Sequence, residues 1–246
     1  MRRRFALLLL LPLAGCCAAP GNLSGDALNE VVRLERELEQ EGASYDLRWK
    51  LAEACLALVD DPRGSGGQRL DYSVRALAHA DAAIQIESER VEGHYYRAVS
   101  LGRVLENSTL PDLSQIGELE AAGIRAREID PAFDCAGPPL LLALLYQKAP
   151  AWPLGPEPAG EEDVIEELFL EAVALAPECP ENLLAYAEFL EEIDREEEAL
   201  KFARKAKQAL RAREDLEPAE REDLEQRLER LWTELDAPPE FGMRGR

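Results

Sequence analysis

This sequence has few histidines, few cationic side chains, few long apolar runs and no closely spaced cysteine pair of the Cys-x-x-Cys type. Each of these shortages argues against a class of function. Only two histidines occur in 246 residues, which leaves little material for a metal site or for nucleophilic catalysis. None of the five cysteines stands in a Cys-x-x-Cys pair, so zinc and thioredoxin-like chemistry are not indicated. Lysine and arginine total 28 against 49 aspartates and glutamates, and such a surface repels phosphate backbones. We expect no enzyme activity, no cofactor, no metal and no nucleic-acid partner.

The N-terminus has the layout of an exported protein. Three arginines, Arg2 to Arg4, precede an apolar run from Phe5 to Leu13, as in a secretory signal. This run is shorter than the roughly 20 residues that a membrane-spanning helix needs. It leads into Leu13-Ala14-Gly15-Cys16, which resembles the bacterial lipobox. The resemblance implies that Cys16 is acylated and becomes the new N-terminus; a plain cleaved signal that ends near Ala19 is the alternative.

These signals divide the chain into four segments. We predict a lipoprotein signal peptide at 1–15, a lipidated linker at 16–26, a helical domain at 27–236 and a flexible tail at 237–246. Loss of the signal leaves 25 cationic against 49 acidic side chains, a net charge of −24. Residue 17 is not aspartate, which by resemblance to lipoprotein sorting rules favours the outer membrane over the inner one. The predicted location is the cell envelope, anchored in a lipid bilayer and facing the periplasm.

Alanines recur at intervals that are typical of tetratricopeptide hairpins, which are helix–turn–helix units of 34 residues. Each unit needs a small residue on both helices where they cross, and the last unit has its pair 19 residues apart. Gly/Pro clusters at 60–67, 107–111 and 149–160 lengthen the three preceding units by about ten residues each. We predict an all-α tetratricopeptide-like solenoid of four hairpins, with extended loops inside the first three and a flanking helix at each end. The predicted small residues are Ala54, Ala98, Ala143 and Ala187 on the first helices and Ala83, Ala126, Ala172 and Ala206 on the second helices.

The inner, concave surface of such a stack is lined by the first helix of each hairpin. Because eight of the nine predicted positions are non-ionic, the pattern favours an apolar channel or partner surface over a cationic groove for a peptide carboxylate. The alternative is that the flanking helices fold over these positions and make them ordinary core residues. The positions are Leu51, Cys55, Leu58, Tyr95, Val99, Leu140, Leu144, Leu184 and Glu188.

Two further features leave alternatives open. Cys135 and Cys179 both fall in turns before a helix, and an oxidising periplasm permits a disulfide between them; the sequence does not decide their state. The segment from Pro139 to Tyr146 is apolar on every side. This pattern predicts a helix that is buried all round, either in the core or against a ligand cavity or a subunit contact.

One stretch of the chain resembles a known family. The motifs run in order as Asp130-Pro131-Ala132-Phe133-Asp134, Gly137-Pro138, Leu145-Tyr146, Ala149-Pro150-Ala151-Trp152-Pro153-Leu154-Gly155, Ala176-Pro177-Glu178-Cys179-Pro180-Glu181-Asn182 and Ala187-Glu188. This order is similar to that of the T-component lipoproteins of tripartite ATP-independent periplasmic (TRAP) transporters, over roughly residues 45–210. The chain departs from the family at Pro138, Pro139 and Ala143, so the role of the family's polar residue there does not transfer.

The resemblance implies an accessory role in transport. Such a protein docks a periplasmic substrate-binding protein, or another envelope protein, and can hold a small apolar ligand. A structural adaptor in outer-membrane or cell-wall assembly is the alternative function. The sequence leaves the ligand, the presence of a transporter and homo-oligomerisation open.

Overall fold

The computed structural model describes residue 23 and residues 25–151, 154–214, 216 and 218–235. Within these ranges the chain forms ten α-helices and no strand. The predicted signal peptide, Cys16, most of the linker, Trp152 and the predicted tail lie outside the described residues. The helices are α1 (Gly25–Glu41), α2 (Tyr45–Val59), α3 (Gly66–Ile86), α4 (Val91–Asn107), α5 (Gln115–Ile129), α6 (Phe133–Lys148), α7 (Glu162–Leu175), α8 (Pro180–Glu192), α9 (Glu196–Ala212) and α10 (Pro218–Glu234).

Helices α2 to α9 form four antiparallel hairpins, as the alanine spacing predicts. α2 packs on α3, α4 on α5, α6 on α7 and α8 on α9, while α1 packs on α2, and α10 packs on α8 and α9. The first three hairpins turn through residues 60–65, 108–114 and 149–161, and the fourth turns through only 193–195. The predicted all-α solenoid with lengthened first hairpins is therefore confirmed. The extra residues of the first hairpin are partly helical and not only loop, because α3 alone has 21 residues.

Local sequence signals explain where several helices begin. Ser65 and Gln68 form a reciprocal capping box at the start of α3: the Ser65 hydroxyl accepts from the Gln68 amide and the Gln68 side chain accepts from the Ser65 amide. This exchange satisfies two of the amide groups that a helix start leaves unpaired. Pro180 begins α8, where a missing N–H costs nothing. Asp194 turns the chain between α8 and α9 with a positive φ of 61°, a conformation that aspartate tolerates better than most residues.

Seven of the eight predicted crossing alanines have no exposed surface. They are Ala83, Ala98, Ala126, Ala143, Ala172, Ala187 and Ala206, each 0% exposed. Side chains this small allow paired helix backbones to approach closely. Glycines make similar close contacts: a Cβ placed on Gly123 of α5 would lie 2.9 Å from the Leu141 side chain of α6.

The eighth alanine was placed two residues too late. Ala54 is partly exposed, whereas Ala52 has 0% exposure. Ala52 follows the first residue of α2 by seven positions, as Ala98 follows the first residue of α4. The crossing residue of the first hairpin is therefore Ala52, and the prediction of Ala54 was wrong.

This assignment predicts opposite effects for two alanines of α2. Ala52→Leu should lower the free energy of unfolding by about 1–3 kcal/mol, because extra methylenes in a packed helix crossing force the helices apart. Ala57→Leu, at an exposed position of the same helix, should change it by less than about 0.5 kcal/mol. Urea denaturation followed by circular dichroism measures both. Equal stability of the two variants would contradict the assignment.

The apolar side chains form two clusters along the stack. The N-terminal cluster joins α1, α2 and α3 to the aromatic residues of α4, and the C-terminal cluster joins α6 to α10. In the C-terminal cluster, the predicted apolar stripe of the last helix is buried: it consists of Leu224, Leu228 and Leu231 of α10 and of Leu235, which directly follows α10. The core alternative for the 139–146 helix is wrong, because four of its leucines are only partly buried: Leu140, Leu141, Leu144 and Leu145. Contact of this helix with a ligand or a subunit stays a prediction.

Candidate partner-binding face

Four of the nine positions predicted to line the inner surface are inaccessible. Leu51, Cys55 and Leu58 are 0% exposed in the N-terminal cluster, which also contains Val31 and Leu34 of α1. Leu184 is equally buried in the C-terminal cluster, among the leucines of α10. As in the alternative considered above, the flanking helices turn these four positions into core. Burial raises the pKa of the Cys55 thiol to about 11, so the thiol is not reactive at neutral pH.

The shifted crossing residue explains the error on α2. Most of the predicted positions lie three residues before or one residue after a crossing alanine: Tyr95 and Val99 flank Ala98 in this way. The same two offsets from Ala52 give Trp49 and Glu53 instead of Leu51 and Cys55. Trp49 is partly buried and Glu53 is exposed, so both are available on the inner face.

The other predicted positions have mixed surroundings. Tyr95, Val99, Leu140 and Leu144 are partly buried and remain on the inner face. Glu188 is covered by α10: its carboxylate accepts two hydrogen bonds from the Arg227 guanidinium, at 3.0 and 2.6 Å. The inner face at the fourth hairpin is thus closed by an ion pair, and its open part runs over the first three hairpins.

Four aromatic rings from three hairpins meet on this open part. We name Trp49, Tyr95, Tyr96 and Phe133 the aromatic cluster. Trp49 of α2 stacks on Tyr96 of α4, with ring centroids 6.0 Å apart and planes within 2°. Phe133, the first residue of α6, meets both tyrosines edge-on, with centroids 5.3 and 6.2 Å away. These are the offset and T-shaped arrangements that aromatic pairs favour, so the cluster is a pre-formed surface.

Carboxylates border the aromatic cluster. The Tyr96 hydroxyl donates to Glu53 at 2.7 Å, and the Trp49 indole N–H donates to Asp46 at 3.2 Å. Burial, the hydrogen bond to Glu53 and the charge on that residue raise the pKa of Tyr96 above its usual range. Burial likewise raises the pKa of Tyr95, with a further contribution from Asp134. Asp46, Glu53 and Asp134 are all exposed; they form the acidic rim of the cluster.

A left-handed turn interrupts the start of α6 directly after Phe133 and fixes one side of the cluster. Asp134, Cys135 and Ala136 have φ values of 47°, 60° and 58°, which cost roughly 1–2 kcal/mol for each non-glycine residue. The next residue has to be glycine, because a Cβ on Gly137 would overlap the Tyr95 hydroxyl. The turn therefore packs directly against the aromatic ring of α4.

Two contacts hold this turn to the next hairpin. Cys135 forms a disulfide with Cys179, with the two Cα atoms 6.2 Å apart. The side-chain amide of Asn182, in the first turn of α8, donates to the Cys135 carbonyl at 2.7 Å. The disulfide that the sequence left open is thus formed, and it connects the third hairpin to the fourth.

The same sulfur atoms belong to the single group of three metal-ligating side chains that the described part of the chain contains. Cys135, Cys179 and Glu181 bring their ligand atoms within 4.8 Å of one another. Paired in a disulfide, the cysteines offer no thiolate, which is the form that binds metal. The two histidines have other partners: His79 contacts Arg48, and His94 contacts the Ser88 carbonyl.

The disulfide is expected to stabilise the fold measurably. Replacement of both Cys135 and Cys179 by serine should lower the free energy of unfolding by about 2–4 kcal/mol, because the bond closes a long loop of the unfolded chain. Urea denaturation under non-reducing conditions measures the difference. As a control, a reducing agent should lower the stability of the parent protein by a similar amount and leave the variant unchanged. A parent protein that is insensitive to reduction would show that the pair does not stabilise the fold.

The comparisons with known proteins identify the fold and no family. No family model matches the chain, and no curated protein is significantly similar to it. A tetratricopeptide protein of Thermus thermophilus, TTC0263, superimposes with a TM-score of 0.63 at 19% identity, over 85% of this chain and 92% of its own. MamA of Desulfovibrio magneticus RS-1 gives a TM-score of 0.51 at 15% identity, over 78% of this chain and 89% of its own.

At such identities the likeness concerns the fold alone. None of the described helices combines the length and the apolar character that a bilayer crossing requires. The resemblance to T-component lipoproteins stays a prediction. What the hairpins, the buried alanines and the solved structures establish together is that this chain has a tetratricopeptide-like fold.

Proposed function

We propose that this chain is a lipid-anchored scaffold of the cell envelope that docks a protein partner on its inner face. The observation that carries the proposal is the aromatic cluster of Trp49, Tyr95, Tyr96 and Phe133. Three of its rings, Trp49, Tyr95 and Phe133, are only partly buried although they pack in defined pairs. Large aromatic side chains on a rigid surface are the residues that most often dominate binding energy in protein interfaces.

The charges around the cluster define the partner's chemistry. Glu53 and Asp134 make the rim acidic, whereas Asp46 is paired with Arg90 at 3.1 Å and the Lys50 ammonium lies 5.6 Å from the Trp49 ring centroid. The net charge of the mature chain, −24, adds to the negative potential around the cluster. Complementary charge steers association and suppresses wrong partners. The partner therefore presents lysine or arginine together with apolar side chains, in contrast to the free carboxylate that a cationic tetratricopeptide groove binds.

The finer identity rests on the sequence resemblance. The lipobox at Cys16 supports an acyl anchor, and residue 17 supports the outer membrane. The motifs between 130 and 188 support a T-component that serves a TRAP-type transporter, with a periplasmic substrate-binding protein as the partner. The leucines of α6 that are only partly buried, Leu140 and Leu144 among them, support contact with an apolar ligand or partner.

Photo-crosslinking in native membranes tests the docking face. A photo-reactive residue at position 49 or 133 should capture a protein partner, and one at position 232 should not. Trp232, on α10, is also a partly buried tryptophan but lies in the C-terminal cluster. Trp49→Ala should weaken binding of the captured partner at least about tenfold, since truncation of an interface anchor costs about 2 kcal/mol. Equal capture at all three positions would contradict an inner-face site.

The identity of the captured protein separates the transport role from the scaffold role. A substrate-binding protein supports the T-component assignment. A protein of outer-membrane or cell-wall assembly would contradict that assignment and leave the docking face intact.

The anchor is tested independently. Mass spectrometry of the N-terminal peptide should show acyl chains on Cys16, and Cys16→Ser should release the protein from the membrane fraction. An unmodified Cys16 in membrane-extracted protein would contradict the anchor.

A further inference from the structure

The first helices of the hairpins all end at one edge of the stack. Arg103, near the end of α4, forms an ion pair with Asp60, which follows the end of α2, at 2.8 Å. Gln147, near the end of α6, donates to Glu192, the last residue of α8, at 2.5 Å. The three extended connections, 60–65, 108–114 and 149–161, therefore lie at this edge, which we name the loop edge.

The loop edge exposes large apolar side chains. Leu110 is 91% exposed, Leu154 is 64% exposed and Leu113 is 43% exposed. All three lie in the connections of the second and third hairpins. These connections are longer than a chain reversal needs, because the fourth hairpin reverses the chain within residues 193–195. Leu110 and Leu154 are the two most exposed large apolar side chains of the described residues, and apolar groups so exposed at one edge indicate a surface that another apolar phase covers.

The N-terminal segment reaches the stack at the same edge. Leu23 packs against the N-terminal cluster, and its side chain lies 3.3 Å from the position of a Cβ on Gly64, in the 60–65 connection. Leu23 follows Cys16 by seven positions. An extended chain of that length spans at most about 25 Å. A lipid on Cys16 would therefore tether the stack to the bilayer at this edge.

We propose that the loop edge rests on the lipid bilayer, with Leu110, Leu113 and Leu154 inserted at the interface. This inference rests on the lipid tether of the proposed function and adds an orientation to it. The contact is apolar and needs no anionic lipid, because the three connections carry five carboxylates, with Asp60 paired to Arg103, against the single cation Arg63. Added salt should leave it unchanged, unlike the attraction of a basic patch to anionic headgroups.

The orientation keeps the docking face accessible. Trp49 is the fifth residue of α2 and Phe133 is the first residue of α6, so the aromatic cluster lies towards the edge where the first helices begin. That edge is marked by the ion pair of Arg90 with Asp46, at 3.1 Å. A stack that stands on its loop edge directs the aromatic cluster away from the membrane.

Environment-sensitive dyes on single cysteines test the contact. The dye is placed at position 110 or 154 and, as matched controls, at position 86 or 175. Ile86 and Leu175 are exposed apolar residues, each 42% exposed, at the ends of α3 and α7 and hence at the opposite edge. The background carries Cys17→Ser and keeps the Cys135–Cys179 disulfide, and the buried Cys55 does not react.

The full mature chain is attached to phosphatidylcholine vesicles in two ways, through its native acyl chains and, with Cys16→Ser, through an N-terminal histidine tag on nickel-chelating lipid. Dyes at 110 and 154 should shift to the blue and be quenched by nitroxide lipids in both arrangements. Dyes at 86 and 175 should stay in water. If only the native protein fails to attach, the acyl anchor is wrong, and the tagged protein still decides the orientation.

Two results would overturn the proposal. One is equal quenching at all four positions, or stronger quenching at 86 and 175. The other is a blue shift at 110 and 154 that needs no vesicles and rises with protein concentration, which would assign the loop edge to contact between copies of the chain. Leu110→Glu combined with Leu154→Glu should at least halve the quenching of a dye at position 113. Ile86→Glu combined with Leu175→Glu should leave it unchanged.

Discussion

The close approach of paired helices at buried alanines is the constraint on which the rest of the structure depends. At Ala98, Ala126, Ala143 and Ala172 no side-chain surface is left exposed, so the distance between paired backbones is set by a methyl group. This fixes the positions of the first helices relative to one another. Rings from α2, α4 and α6 can meet in one cluster only because these three helices are held in register along the stack.

The repeat could be predicted because its signals are local and recur. Alanine spacing and Gly/Pro punctuation both report where a helix crosses or ends, and together they located four hairpins and their lengthened turns. The signal failed at α2, where the sequence Leu-Ala-Glu-Ala-Cys offers two alanines two residues apart. Only the position of Tyr45 at the helix start and the cover supplied by α1 select Ala52. If the crossing residue is Ala52 and not Ala54, the inner-face positions of α2 are Trp49 and Glu53. The predicted positions, Leu51 and Cys55, then belong to the core.

The turn at residues 134–136 could not be predicted from sequence. Three consecutive non-glycine residues with positive φ have no compositional signature, and their conformation persists because contacts distant in sequence hold it. Those contacts are the disulfide to Cys179, 44 residues away, and the amide of Asn182. Phe133 and Asp134 owe their place beside Tyr95 to this turn. The aromatic cluster thus depends on the fourth hairpin, although none of its rings belongs to that hairpin.

A tetratricopeptide stack has two edges, and in this chain they differ in chemistry. The edge where the first helices begin carries the aromatic cluster with Asp46 and Asp134, which suits contact with a protein in water. The edge where they end carries extended connections with exposed leucines and receives the N-terminal segment at Leu23. Under the proposed acyl anchor, the edge with the extended connections meets lipid and the edge with the aromatic cluster stays free for the partner.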